Sequence, residues 1–293
     1  MLRTRLRLPR RSFGLAAAGA SLNCASLNCA SFNARRCLHR VPKLAHDFSN
    51  GIPELMSPVG FQYAWTDYMQ FVLEKLNLLT EGGELENRDT KSTLLLTARE
   101  PKQAAIFNYA SMAHNHHFFF STITPTGTPM PDDLREHLET SFSSLETLRR
   151  EFILTADVMF GPGFVWLVKA GDNSYRLVNT YLAGSPYSGA HWRAQPQDLN
   201  TLGSSGSART FIEKTAAADT SKPPTPPGGI HVEPVLCLST WQHVWLLDWG
   251  IGVGGRGGKL AFAEAWWTRI DWEQVAERAG IYRPKKKTAA ASS

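Results

Sequence analysis

The body of this sequence has very little cysteine. Four cysteines occur in 293 residues, and three of them, Cys24, Cys29 and Cys37, lie near the N-terminus. The fourth, Cys237, stands in the apolar run PVLCLST, which predicts a buried strand position. A single cysteine forms neither an internal disulfide nor a metal cluster, so both kinds of scaffold are excluded for the body of the chain.

Acidic side chains are absent from the N-terminal segment, where the first is Asp47. Residues 1–46 carry nine of the 31 lysine and arginine residues and are rich in serine and alanine. This composition is typical of a mitochondrial transit peptide, which predicts a protein of the mitochondrial matrix. Cleavage is expected near Arg36-Cys37-Leu38. The alternative is a disordered basic tail on a cytosolic protein.

The basic charge of the chain lies at its two ends. Beyond residue 46 there are 22 basic residues against 26 acidic ones, and four of the 22 belong to the C-terminal tail. A mildly acidic body argues against a broad phosphate-binding face. The tail is a candidate for contact with rRNA phosphates, and a merely solvated tail is the alternative. Its cations are Arg283, Lys285, Lys286 and Lys287.

Long apolar runs are also missing. No stretch approaches the roughly 18 uninterrupted apolar residues of a membrane span, so none is expected. Helical spacing of apolar side chains instead predicts helices over 61–79 and 100–120, with a polar loop over 80–98. Two further helices are predicted over 131–158, and Ser144 is the candidate N-cap of the second.

The second half changes to a strand pattern. Runs rich in β-branched and aromatic residues predict strands over 163–170, 174–183 and 231–240, with a hairpin turn at Gly171-Asp172-Asn173. A final helix is predicted over 257–279.

These elements predict an α+β protein: an N-terminal helical hairpin followed by a three-stranded antiparallel sheet with flanking helices. The predicted organisation is a hairpin subdomain over 47–130, an α/β subdomain over 131–282 and a basic tail over 283–293. Residues 184–230 are dense in Gly, Ser, Pro and Ala, which predicts a partly disordered insertion.

Histidine is the residue type with the most chemical interest. The segment AHNHHFFF contains His114, His116 and His117, and His243 follows the last predicted strand among tryptophans. Two distant imidazoles framed by aromatic rings are candidate metal ligands. A carboxylate normally completes such a site. The alternative is that these histidines are hydrogen-bonded core residues.

Four segments resemble the iron/manganese superoxide dismutases. FNYASMAHNHHFFF is similar to the second metal-binding helix, and STWQHVWLLDWG to the signature that carries the last ligands. The stretches 143–168 and 262–278 resemble the helix that enters the sheet and the closing helix. The matches cover roughly residues 55–280 in order, so the resemblance implies the superoxide dismutase-like fold.

The same resemblance implies a degenerate metal site. The family holds its metal with three histidines and one aspartate, and His116 and His243 stand at two of these positions. Ser239 stands at the aspartate position, and the first-helix histidine position falls near Ala64. No histidine occurs between His46 and His114, so this ligand is missing in any register.

The residues around the metal are altered as well. The resemblance places Met112 and Phe160 where the family supplies a glutamine, and Gln242 where a glutamate bridges to the partner subunit. It therefore implies no catalytic residue, no metal and no cofactor. His116 and His243 are expected to persist as packing residues, with a two-histidine metal site as the alternative.

Degenerate, mitochondrially targeted members of this family in fungi are components of the mitochondrial small ribosomal subunit, and this chain resembles them, including the segment AWTDYMQFVLEKLN. The resemblance implies a structural ribosomal protein that is not an enzyme and supports mitochondrial translation. Its expected partners are mitochondrial ribosomal proteins, among them a related superoxide dismutase-like chain as heterodimer. The alternatives are a residual metal-dependent superoxide dismutase and a free mitochondrial scaffold.

Overall fold

The structure is a computed structural model that describes residues 39–98, 100–171, 174–191 and 232–281. No helix in these ranges is long and apolar enough to cross a membrane. The α-helices are α1 Pro58–Phe61, α2 Tyr68–Thr80, α3 Thr90–Thr97, α4 Ala104–Phe120, α5 Asp132–Phe142, α6 Leu145–Val158, α7 Ser188–His191, α8 Gln242–Trp249, α9 Gly258–Trp267 and α10 Trp272–Arg278. The strands are β1 Gly163–Ala170, β2 Tyr175–Tyr181 and β3 Val232–Ser239.

The first predicted helix is confirmed, but it is not a uniform α-helix. Ser57 caps its start, because the hydroxyl of Ser57 accepts the N–H of Gly60 at 3.0 Å. Between α1 and α2 the backbone forms a π-helix over Gln62–Asp67. Its i→i+5 hydrogen bonds enclose one residue more than those of an α-helix, so the π-helix rotates the faces of α2 relative to α1.

The segment 80–98, predicted as a loop, contains helix α3, so the prediction was wrong for its second half. Asp89 caps this helix by accepting the N–H of Ser92 at 3.2 Å. Helix α3 packs against α4 and buries Leu94. Its apolar residues are too few to give a clear helical period, so contact with α4 decides the conformation.

The next three helices agree with the sequence pattern. Helix α4 follows a short 3₁₀ turn over Pro101–Gln103 and fills the predicted second helix. Helices α5 and α6 meet at Ser143, and the hydroxyl of Ser144 accepts the N–H of Thr147 at 3.1 Å. The predicted N-cap is therefore confirmed.

The sheet is antiparallel with the order β2-β1-β3. The central strand β1 pairs Phe164 with Thr180 on one side and with Ser239 on the other. Most of β1 is buried, which explains its continuous apolar sequence. Across the β1–β2 pair, the indole N–H of Trp166 donates to the hydroxyl of Thr180 at 2.9 Å.

The single C-terminal helix predicted over 257–279 is wrong, because α9 and α10 are separate helices. The chain between them contacts the end of α4: the N–H of Asp271 donates to the carbonyl of Thr122 at 2.8 Å. The carboxylate of Asp271 then accepts the N–H of Gln274 at 3.1 Å and caps α10. Helix α8, directly after β3, was not predicted.

Several sequence predictions lie wholly or partly outside the described residues. They concern residues 1–38 of the transit segment, most of the insertion at 184–230, two residues of the hairpin turn and the tail cations Arg283, Lys285, Lys286 and Lys287. The described start of the insertion includes α7. The proposed domain boundaries stay predictions.

Candidate functional site

The fold brings together the two histidines that the sequence singled out. His116 lies on α4 and His243 on the first turn of α8, 127 residues apart in the chain. Their Nε2 atoms are 2.8 Å apart, which is hydrogen-bond distance. The side chain of His116 is fully buried.

The hydrogen bonds fix the tautomer of each ring. Nδ1 of His116 lies 3.2 Å from the carbonyl oxygen of Met112, which only accepts, so this nitrogen carries the proton. Nε2 of neutral His116 is then an acceptor, and Nε2 of His243 donates to it. The lone pair that a metal would need on His116 is therefore engaged by His243.

Aromatic rings enclose the histidine pair. Tyr68, the first residue of α2, stacks on His243 with ring centroids 4.0 Å apart and lies 4.7 Å from His116. Phe164 of β1 meets His116 edge-on at 5.5 Å, and Trp241 lies 5.6 Å from His243. The planes of the two imidazoles are nearly parallel, with 14° between them.

Burial keeps the pair uncharged. Desolvation lowers the pKa of His116 well below 6.5, and the neighbouring His243 lowers it further. Desolvation also lowers the pKa of His243, to about 4. Burial raises the pKa of the Tyr68 hydroxyl, so all three groups are neutral at pH 7.

The residues at the site do not fit a metal ion. Ser239 is buried and its neutral hydroxyl lies 3.4 Å from the N–H of Trp241, while Ala64 is a fully buried methyl group on the π-helix. Within the described ranges, no group of three or more His, Cys, Asp or Glu side chains is placed to hold a metal. The two imidazoles bond to each other, and Ser239, which stands at the expected aspartate position, is uncharged and does not offset a cation's charge.

The residues expected around the metal occupy different environments. Met112 is buried and contributes its carbonyl oxygen to His116, and Gln242 is exposed at the start of α8. Phe160 was wrongly placed, because its side chain is 99% exposed in the loop between α6 and β1. A side chain in full contact with solvent does not line a buried histidine pair.

Sequence reasoning missed the role of Tyr68, which was interpreted only as one apolar position of a helix. Its spacing of four residues from Ala64 was the available signal, since residues four apart share a helix face. The other histidines of α4 lie apart from the pair. Nε2 of His114 is 2.9 Å from the hydroxyl of Tyr187, and His117 packs near Trp65.

An apolar groove of about 660 Å³ lies beside the pair. Several large apolar side chains along it are exposed, including Tyr63 at 58% and Leu247 at 57%. Its lining residues are Tyr63, Asp67, Tyr68, Phe71, Gln242, His243, Leu246 and Leu247.

Comparison with known proteins agrees with this architecture. Residues 130–196 match the family model of the iron/manganese superoxide dismutases, C-terminal domain. The iron superoxide dismutase of Helicobacter pylori strain J99 is 24% identical over 76% of this chain and 81% of its own length. The fold is superoxide dismutase-like.

Two further relatives are ribosomal proteins by name. The small ribosomal subunit protein mS43 of Schizosaccharomyces pombe is 29% identical over 82% of this chain and 84% of its own length. The small ribosomal subunit protein mS42 of the same organism is 27% identical over 63% of this chain and 71% of its own length. These matches confirm the resemblance drawn from the sequence.

Proposed function

We propose that this chain is a structural component of the mitochondrial small ribosomal subunit. The observation that carries the proposal is its similarity to the small ribosomal subunit protein mS43 along most of both chains. The histidine pair supports the proposal. Aromatic rings fill the space around the two imidazoles, so we infer that the protein acts through its surface and not through this site.

Sedimentation tests this proposal. The protein is expected to sediment with mitochondrial small subunits in a sucrose gradient and to remain in them after a high-salt wash. Its absence from washed particles, detected by mass spectrometry, would contradict the ribosomal assignment. In that case a free mitochondrial scaffold on the same fold would be the better interpretation.

We also propose that the chain has no superoxide dismutase activity. Redox cycling of superoxide needs a metal ion, and the site offers a neutral hydroxyl at Ser239 and a methyl group at Ala64 in place of two ligands. Elemental analysis of the purified protein is expected to find no stoichiometric iron or manganese. Stoichiometric metal together with dismutase activity would establish the enzyme alternative.

The apolar groove supports a heterodimer with a related superoxide dismutase-like chain. Leu247 is more than half exposed and Phe71 nearly half, and such side chains are typical of a protein interface. Gln242 at the same groove is uncharged, so it makes no ion pair with a basic residue of the partner. In co-expression pull-downs, Leu247→Glu is expected to weaken the pairing, whereas the control Leu154→Glu, on the exposed side of α6, is not.

Residues 1–46 are proposed to direct import into the mitochondrial matrix, with cleavage near Arg36-Cys37-Leu38. From His39 onward the chain contacts the body: the N–H of His39 donates to the Asn77 side-chain oxygen at 3.1 Å. The Asn77 amide in turn donates to the carbonyl of His39 at 3.0 Å. Import assays on a chain lacking the first 38 residues are expected to show loss of uptake, with no change in folding.

The basic tail is proposed to contact rRNA at the edge of the subunit. Four cations in a short segment provide phosphate contacts without sequence specificity. Replacing Arg283, Lys285, Lys286 and Lys287 with glutamine is expected to lower RNA cross-linking of the tail. If cross-linking did not change, the proposal would be wrong, and the tail would be interpreted as a solvated extension.

A further inference from the structure

We propose that Tyr68 closes the histidine pair against metal ions, by holding the two imidazoles in a mutual hydrogen bond that a metal would have to break. The inference concerns why the site does not fit a metal, and it is independent of the ribosomal assignment. The proposal gives Tyr68 a part in excluding the metal, in addition to the replacement of two ligands by Ser239 and Ala64.

The hydrogen bond between the two imidazoles holds their nitrogens closer together than a shared metal ion would. A metal ion at about 2.0–2.1 Å from two imidazole nitrogens in a tetrahedral site keeps those nitrogens about 3.3 Å apart. In this structure the Nε2 atoms are 2.8 Å apart, and the planes of the two rings are nearly parallel. Metal entry therefore requires the rings to separate and to turn their lone pairs toward the ion.

The second step is what prevents that movement. Tyr68 stacks on His243 at 4.0 Å with 20° between the rings, and it also overlaps His116 at 4.7 Å. Phe164 limits the motion of His116 from another direction, at 5.5 Å and 90°. Because Tyr68 contacts both rings, we expect it to restrain each imidazole from turning.

The third step is the position of Tyr68 in the chain. It follows directly on the π-helix Gln62–Asp67, and π-turns occur frequently at functional sites. Tyr68 also lines the apolar groove together with His243, so its ring lies between that groove and His116. His243 already lines the groove, so removing the Tyr68 ring would extend access from the groove to His116.

The test uses Co(II) chloride as the only added ligand and the full mature chain. Wild type, Tyr68→Phe and the control Tyr63→Ala are expected to show only the weak absorption of aqueous Co(II) on titration, without the intense band of a tetrahedral Co(II) site. Tyr63 lines the same groove but is 58% exposed, so its removal leaves the stacked rings intact. Tyr68→Ala is expected to gain a Co(II) band, with an apparent affinity at least about tenfold above that of wild type.

Two further variants keep the test decisive. Adding His243→Ala to Tyr68→Ala is expected to abolish the band, which locates the metal at the pair. If Tyr68→Ala does not fold by circular dichroism, Tyr68→Leu keeps apolar volume without a planar ring and is expected to bind Co(II) similarly. Co(II) binding at the pair in wild type or in Tyr68→Phe would overturn the proposal, as would folded Tyr68→Ala or Tyr68→Leu without the band.

Discussion

Acidification is expected to destabilise this protein strongly, because desolvation lowers the pKa of four histidines, His114, His116, His117 and His243. Burial lowers the pKa of His114 to about 3 and that of His243 to about 4, and it holds the pKa of His116 well below 6.5. As the pH falls below 6.5, the unfolded chain binds protons that the folded chain excludes. The contribution of these residues is therefore complete above about pH 6.5 and is lost as the pH falls.

The size of the effect follows from this linkage. A histidine whose pKa is 6.5 in the unfolded chain and 4 or lower in the folded chain lowers the free energy of unfolding by about 2 kcal/mol between pH 7 and pH 5. If the pair takes up one proton, on His243, the hydrogen bond between the rings remains, because protonated His243 still donates through Nε2 to His116. The pair therefore accepts a first proton more easily than a second. The expected loss from His114 and His243 together is about 4 kcal/mol, against a typical stability of about 5–15 kcal/mol, and the lowered pKa of His116 adds to the loss in the same direction.

Urea unfolding at pH 7, 6 and 5, followed by circular dichroism, measures this loss. His114→Gln removes one buried imidazole and is expected to shrink the loss between pH 7 and pH 5 by about 2 kcal/mol. His137→Gln removes an exposed imidazole on α5 and is the matched control, with the wild-type loss retained. A free energy of unfolding that changes by less than about 1 kcal/mol between pH 7 and pH 5 would refute the argument from burial.

Three further predictions concern the fold. Ser144→Ala removes the cap of α6 and is expected to lower the free energy of unfolding by about 1 kcal/mol in urea titrations; no change would mean that Thr147 compensates. Gly127→Ala is expected to lower Tm more than Gly82→Ala. Both glycines have positive φ, but only a Cβ at Gly127 would clash with the carbonyl oxygen of Thr268. With Cys24, Cys29 and Cys37 replaced by serine, Cys237 is expected to react with Ellman's reagent only after unfolding, because burial in β3 raises the pKa of its thiol.

Local signals predicted much of this fold. The spacing of apolar residues located the helices over 61–79 and 100–120, and Ser144 marked the start of α6 because a cap depends on the residues beside it. The break before α10 also had a local signal: Asp271 followed by Gln274 at the third position matches a capping pattern. It was missed because the apolar residues on both sides keep a helical period across the break.

Other features depended on tertiary contacts. The resemblance brought His116 and His243 to one site, but their direct hydrogen bond depends on the positions of α4, α8 and Tyr68 together. The π-helix before Tyr68 was not predicted, because the apolar spacing over 61–79 indicates a helix without distinguishing α from π hydrogen bonding. Phe160 was misplaced because the resemblance assigned it to a position beside the metal, whereas its loop at the end of α6 leaves its side chain in solvent.

The histidine pair also explains how this core is packed without a charged group at the expected ligand positions. A charged ligand set without its metal would leave unpaired charge in the core, at a cost of several kcal/mol. Here a neutral hydroxyl at Ser239 and a methyl group at Ala64 remove that charge, and the two imidazoles satisfy each other. The ring of Tyr68 packs against both imidazoles and so contributes van der Waals contacts at this site. The contacts that pack this core are made by protein side chains, which is consistent with the proposed structural role.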